Sequence, residues 1–394
     1  MGKITGYAAL TAPVLSDLLP VVDVSDTSMA STGTDKKMTL AVLQALLGPG
    51  LLVLPSGDTS GATDTAAIGA AITSLTGTGN GGTVLLAAGQ FYITASAGSI
   101  AVTLPAQTAA GTTGGTPVNL AGTGSPTVVY VVGNCTGISC HRTSGYGAQF
   151  GLSPPFDQPC SMISNFVLDG SLATGSAIGL DWGDGTGFDI KLRVQHFTGA
   201  STIGVQQINR VFWTEKCDVR LELYNNAQCL VITNQQNITS AVHSVEYCDY
   251  WLTLWLEAGQ KGVQILHGSN AGGSRFSFRG NCSSLPVGQT TLGCGFGVFT
   301  ITGDDGSGSP VPDEYSRIYG GWLAGKIEGN DGNGQGGGVY PPFLLTGTNS
   351  HNGLINTTGH ILHSVGNSQI TNSTIAFNGG ISGDPALSAA RSTW

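Results

Sequence analysis

Three aspartates, Asp189, Asp218 and Asp249, stand at the same place in three copies of one short pattern: Phe188-Asp189-Ile190, Cys217-Asp218-Val219 and Cys248-Asp249-Tyr250. Stacked as parallel strands, these copies would set their carboxylates in an outward line about 4.8 Å apart. That is near the separation of the two carboxyl groups in a retaining glycosidase, one acting as acid and one as nucleophile. Lys191 and Arg220 follow the first two aspartates at i+2. The plainer alternative is therefore a solvated ladder in which Asp189 pairs with Lys191 and Asp218 with Arg220, each pair contributing little to stability. A glycosidase needs one carboxyl of its pair protonated, and neighbouring cations oppose that. Asp189, Asp218 and Asp249 thus remain candidates, and no residue is assigned a catalytic role. By the alternation of the strand, Trp251 points outward in the column of Lys191, Arg220 and Arg275. An outward indole among polar groups is a platform for the apolar face of a sugar ring. Trp251, Arg220, Arg275, Lys191 and, in a neighbouring stretch, Trp182 are the candidate glycan-binding residues; contact with a second subunit or a long turn is the alternative for Trp251.

Other constellations carry less. Asp181-Trp182-Gly183-Asp184-Gly185, with Asp189 near, is acidic and Gly-rich, but it lacks the alternating acidic spacing of a calcium loop, and a solvated turn is the preferred reading. Asp304, Asp305, Asp313 and Glu314 are read the same way. His360 and His363 fall close together in a β-like stretch that does not suit a metal pair. No nucleophile-elbow, phosphate-loop, dinucleotide or zinc-protease motif stands in a convincing context, so neither a metal nor a cofactor is expected. Eight cysteines show no paired spacing and read as buried thiols.

The elements that must position these residues follow from a repeat. Asn165-Phe166-Val167-Leu168, Lys191-Leu192-Arg193-Val194, Arg220-Leu221-Glu222-Leu223, Trp251-Leu252-Thr253-Leu254 and Arg275-Phe276-Ser277-Phe278 recur at the interval of one β-helical coil, with apolar residues alternating as in half-buried strands. The pattern predicts an inward column of Leu192, Leu221, Leu252 and Phe276, and a second of Val194, Leu223, Leu254 and Phe278. Phe299-Thr300-Ile301, Trp322-Leu323 and Leu354-Ile355 could continue it. Ahead of the repeat, Asp64 reads as the N-cap of a helix over 64–76 whose apolar face is Ala67, Ile68, Ala71, Ile72 and Leu75. Gly81-Gly82 then opens the strands Thr83 to Ala87 and Phe91 to Thr94. A shorter helix is expected from Thr39 to Leu47. Short apolar patches at Ile100 to Leu104, Val118 to Leu120 and Val128 to Val132 read as early coils.

Composition agrees. The 394 residues include 61 Gly and only 10% charged residues, against a usual charged share of roughly a quarter, which suits short strands joined by tight turns. The net charge of -9 and the absence of a basic cluster argue against a nucleic-acid partner. No apolar run is long enough to span a bilayer, so no membrane insertion is expected.

Two stretches carry a family resemblance. The run DTAAIGAAITSLTGTGNGGTVLLAAGQFYI, from Asp64 to Ile93, resembles the start of the pectate-lyase-like right-handed β-helices of phage tailspikes. The phrase DLLPVVDVSDTSMASTGTDKKMTLAVL, from Asp17 to Leu43, is similar to the N-terminal module of minor tail proteins and tail fibres from phages of actinobacteria. VFWTEKCDVRLEL, from Val211 to Leu223, is similar to proteins of the same kind. The resemblance implies a virion tail protein assembled in the host cytoplasm, a homotrimer joined to other tail proteins through residues 1–50, and a host surface glycan as receptor.

The expected fold is thus all-β: a right-handed parallel β-helix, or solenoid, over residues 55–309, with a capping helix over 64–76 and a small N-terminal attachment module over 1–54. Residues 310–394 supply further coils or a β-rich trimer cap. The expected function is adhesion. A β-helical polysaccharide depolymerase, lyase or hydrolase, is the first alternative, and a purely structural fibre the second.

Overall fold

The computed structural model describes residues 18–23, 34–39, 50–77, 81–105, 117–141, 161–210, 213–235, 245–257, 260–266, 269–282, 299–302, 317–329, 343–346, 354–364, 369–371, 374–382, 388–389 and 391–392. The chain divides into two units, Met1–Leu51 and Leu52–Trp394. In the first, Leu18–Asp23 pairs antiparallel with Thr34–Thr39, Leu18 opposite Thr39 and Asp23 opposite Thr34. Thr39, expected to cap a helix running to Leu47, instead ends a strand; residues 40–49 lie outside the described set.

The second unit is a right-handed parallel β-helix. Fifteen of the described strands form one parallel sheet and nine form a second. Each coil runs from a strand of the first sheet through a corner to a strand of the second, as Asp218–Tyr224 does to Gln228–Asn234, then returns one layer higher. Right-handed return is the strongly preferred hand for such parallel crossovers. A two-strand strip, Thr214–Glu215 beside Val245–Glu246, forms a third facet of the coil. Corners repeat their backbone conformation. Lys216 and Tyr247 take left-handed φ values of 55° and 54° just before their first-sheet strands, and Gly273 takes 63° one layer higher. At the other end of the strand His196 and Asn225 do the same, at 64° and 50°. The residue after each then turns inward: Asn226 is fully buried, its amide donates to the Val194 carbonyl at 2.9 Å and its Oδ1 accepts the Phe197 N–H at 3.1 Å, tying one coil to the next.

The registers between Asp189 and Leu256 follow the alternation. Leu192, Leu221 and Leu252 stack as paired neighbours, as do Val194, Leu223 and Leu254, and all six are buried. One layer higher the expected alignment is displaced by two residues. Leu252 pairs with Phe278 rather than Phe276, and Leu254 with Gly280 rather than Phe278. Phe276 instead meets Tyr250, their rings stacked 4.5 Å apart and 7° from parallel. An apolar residue stands at every second position in both alignments, so alternation alone cannot tell them apart; the aromatic stack favours the observed one. Below, Asn165 takes a left-handed φ of 62° and bulges out, so Ser164 rather than Asn165 pairs with Lys191. Trp322–Leu323 and Leu354–Ile355 do extend the first sheet, whereas Phe299–Thr302 belongs to the second. Strands from Phe343 to Ser382 extend both sheets in the same parallel sense.

Helix α1, Ala62–Gly77, packs on the first coils through Ile68, Ile72 and Leu75. Ala67, expected on that face, is exposed. Asp64 is not its cap. It lies inside the first turn, fully buried, with Oδ1 accepting the Ser56 N–H and Oδ2 the Tyr92 N–H, each at 2.8 Å. The capping work falls to Asp58, which accepts the N–H groups of Ser60 and Thr63. Asp64 thereby clamps the entering chain, the helix and strand Gly89–Thr94 together, since a buried carboxylate is tolerated only when hydrogen-bonded.

Leu221 and Leu252 are 2% and 3% exposed. Leu221→Asp would put a charge between two occupied layers, at a cost well beyond the roughly 2 kcal/mol that burial of a leucine contributes. The variant is expected to be insoluble when expressed under conditions that give soluble parent protein; a soluble variant with the parent's circular dichroism would refute the register.

Candidate functional site

The outward face of the first sheet between Asp189 and Arg279 is a grid set by strand pairing. One column is Asp189, Asp218, Asp249 and Arg275; the next is Lys191, Arg220, Trp251 and Ser277; then Arg193, Glu222, Thr253 and Arg279; then Gln195, Tyr224 and Trp255. The aspartate line is therefore present, and each member has a cation of the wall beside it. Lys191 Nζ lies 2.9 Å from Asp189, Arg220 Nη2 3.0 Å from Asp218, and Arg275 Nε 4.0 Å from Asp249. Glu222 is held by Arg193 at 2.7 Å. Arg193 also lies over the Tyr224 ring, 5.1 Å from its centroid.

Trp251 is 43% exposed and Trp255 44%, on the same face of one strand. Arg275 is not in the Trp251 column, because of the two-residue displacement at that layer. It nevertheless reaches Trp251, its guanidinium 5.9 Å from that ring and 5.8 Å from Trp322. A groove of about 590 Å³ opens on this wall, lined by Lys191, Arg220, Glu222, Trp251, Thr253 and Arg279 among others. Of the candidate residues, Lys191, Arg220 and Trp251 line it and Arg275 flanks it. Glu222, Thr253 and Arg279 were missed, although each stands at i+2 from a candidate or from the next layer's groove residue, and the alternation could have found them.

Trp182 has no place here. It is fully buried, edge-on to Phe188 with centroids 5.2 Å apart, because its strand Ile178–Gly183 belongs to the second sheet and points this side chain inward. Nor is Asp181 to Gly185 a solvated turn. Asp181 and Asp184 are buried and hold a histidine and an arginine from distant parts of the chain. His141 Nδ1 lies 2.9 Å from Asp184 and Nε2 3.2 Å from Asp181, while Arg210 donates to Asp181 at 2.7 Å. The Arg210 N–H bonds Asp184 Oδ1, and the Asp184 N–H donates to Thr214 Oγ1. Gly183 has φ 150° and no room for a Cβ against the Ile208 carbonyl, which explains the glycine between the two acids. No spacing in the sequence links His141 and Arg210 to this pair. Burial works against a charged His141, but hydrogen bonds to Asp181 and Asp184 outweigh it and raise its pKa. Burial would also raise the Asp181 pKa, and the His141 hydrogen bond with the His141 and Arg210 charges brings it below the usual value.

Cys135, Cys140, Cys217, Cys229 and Cys248 are buried thiols. Among the described residues no group of His, Cys, Asp and Glu is arranged to hold a metal ion, and no helix is long and apolar enough to cross a membrane. The side chains of His360 and His363, and Asp304, Asp305, Asp313 and Glu314, lie outside the described set.

No protein-family model matches the sequence, and no curated protein matches it. Among solved structures the chain is similar to the A-module of a mannuronan C-5 epimerase from Azotobacter vinelandii, with 15% identity and a TM-score of 0.37 over 87% of this chain and 97% of that one. A second epimerase A-module from the same organism gives 14% identity and a TM-score of 0.27, covering 81% and 94%. The catalytic domain of a GH87 alpha-1,3-glucanase gives 12% and 0.32, covering 89% and 69%. None of these values transfers an activity to this chain.

The buried cluster has a pH signature. His141 has a folded pKa above its ordinary value, so its stabilisation is complete below about pH 6.5 and is lost as the pH rises through the raised folded value. Asp181 acts in the opposite sense: its contribution is present above the usual carboxylate range and lost as the pH falls through its depressed value. Thermal unfolding followed from about pH 6 to about pH 9 should show a decline that His141→Gln flattens. Equal slopes for parent and variant would show that the imidazolium does not hold this cluster.

Proposed function

We propose that this protein is an adhesion component of a phage tail, a tail fibre or tailspike-like minor tail protein, whose first-sheet wall binds a glycan on the host cell surface. The observation that carries this reading is Trp251, an exposed indole lining a groove on a wall whose aligned carboxylates each have a cation beside them. Stacking against such a ring, with hydrogen bonds from Arg220 and Arg275, needs no tuned proton donor. The resemblance of residues 17–43 to phage tail modules supports the tail assignment, with residues 1–50 joining the protein to other tail proteins. Three copies about a threefold axis would make weak single sites sufficient through avidity. A homotrimer is therefore part of the proposal, as are the virion as its location and assembly in the host cytoplasm.

The aspartate line keeps a depolymerase in view, because carboxylates on adjacent layers stand at a separation that glycosidases use. Two variants distinguish binding from cutting. Trp251→Ala should weaken adsorption to host cells by about tenfold per site. Asp189→Asn combined with Asp218→Asn should leave adsorption near the parent level. Incubation with the host's envelope glycan should yield neither new reducing ends nor unsaturated uronate absorbance. If the parent releases such products and the double variant does not, the protein is a depolymerase. Light scattering at micromolar concentration is expected to give the mass of a trimer, and a monomer would remove the avidity argument.

A further inference from the structure

Among the described side chains, the charges on the first-sheet wall between Asp189 and Arg279 do not cancel. Between Asp189 and Arg279 its outward carboxylates are Asp189, Asp218, Asp249 and Glu222, and each has a cation of the same wall beside it: Lys191, Arg220, Arg275 and Arg193 in that order. Arg279 is left over. Its contact is with a neutral group, Nε donating to Thr253 Oγ1 at 3.1 Å. Thr253 is its paired neighbour one layer below, and Glu222 lies a further layer down the same column, already gripped by Arg193. The hydrogen bond from Nε fixes the plane of the guanidinium and leaves its two terminal amines as the donors available to the groove that Arg279 lines. Trp251 is the diagonal neighbour of Arg279 on the grid, about 8 Å away between backbones. Inside the groove the charged lining residues are Lys191, Arg220, Arg279 and Glu222, a positive balance on a chain whose net charge is -9.

We propose that Arg279 is the specificity-determining residue of this groove, and that it receives an anionic substituent, a carboxylate or a phosphate, of a glycan whose sugar ring lies on Trp251. This rests on the reading of the wall as a glycan-binding surface and adds the chemical class of the ligand. A planar guanidinium whose Nε is already held presents its remaining donors as a fork that fits two oxygens of one anionic group, and little side-chain freedom remains to be lost on binding. A neutral hydroxyl would occupy only part of that fork. The negative balance of the rest of the chain repels a polyanion from other surfaces, so the groove is also the place where such a ligand would settle.

The test uses the full-length protein and wall polysaccharide extracted from a bacterium to which the protein adsorbs. Binding is measured to the intact polymer and to the same polymer after carboxyl reduction and removal of phosphate. The parent should bind the intact polymer about tenfold more tightly than the neutralised one. Arg279→Gln should lose that preference and bind both about as the parent binds the neutralised polymer, with unchanged circular dichroism and thermal unfolding. Arg279→Lys, which keeps the charge and loses the fork, should retain part of the preference. The proposal is overturned if the parent binds both polymers equally, or if Arg279→Gln weakens binding to both by the same factor. A different result bears on the underlying reading instead: no binding of the intact polymer by the parent, or no effect of Trp251→Ala on either polymer, removes the groove as a glycan site.

Discussion

A single coil of this protein has nowhere to bury its apolar row except against the coils above and below it. Leu192, Leu221 and Leu252 are each excluded from water by the equivalent residues on neighbouring layers, and the same holds for Val194, Leu223 and Leu254. Stability is thus a nearest-neighbour property, as in other solenoids, and no isolated strand carries its share alone. The constraint is demanding about register. A slip of one residue would turn every inward leucine to solvent. A slip of two preserves the alternation, and the structure resolves that ambiguity with contacts such as the Tyr250 and Phe276 stack. Polar devices reinforce the layers where alternation is silent: the buried Asn226 amide bridges two coils, and the Tyr250 hydroxyl reaches across the interior to Gln207 at 2.6 Å.

The same stacking makes the outward wall. Because paired residues of a parallel sheet point to the same side, the inward columns oblige the intervening residues to form outward columns. Chemistry placed at one position of a coil is thereby repeated, or varied, about every 4.8 Å along the axis. Here one column is a line of carboxylates with cations beside them and the next changes from Lys191 and Arg220 to Trp251. The side chains of the wall sit on a scaffold held from behind by a packed core.

The second sheet shows how such a fold tolerates buried charge. Asp181 and Asp184 could not be buried with Arg210 alone without leaving one carboxylate short of a counter-charge. The carboxylates raise the pKa of His141, and its protonated form would balance the set. The cluster links the end of strand Thr136–His141 to the corners that follow Ile178–Gly183 and Ile203–Asn209.

The all-β class, the repeat, the stacked aspartates and the outward position of Trp251 were determined by local pattern, since alternation and its recurrence are properties of short stretches. What lay beyond the sequence depended on distances between layers. Arg275 moved by two residues because the residues between Leu256 and Arg275 set the phase of the next strand, and alternation is blind to a shift of two. Trp182 proved internal because its strand, Ile178–Gly183, lies in the second sheet and is buried on both faces from Gly179 to Gly183, so its burial follows no alternation. Asp64 had the spacing of a helix cap, yet Tyr92, far along the chain, supplied the donor that drew it into the interior. His141 and Arg210 met Asp181 and Asp184 only through the pairing of coils, and Arg279 emerged as the cation left over only once the described carboxylates between Asp189 and Arg279 had been matched in space. Period and composition are local quantities; partnership between side chains on different coils is decided by how the coils are stacked.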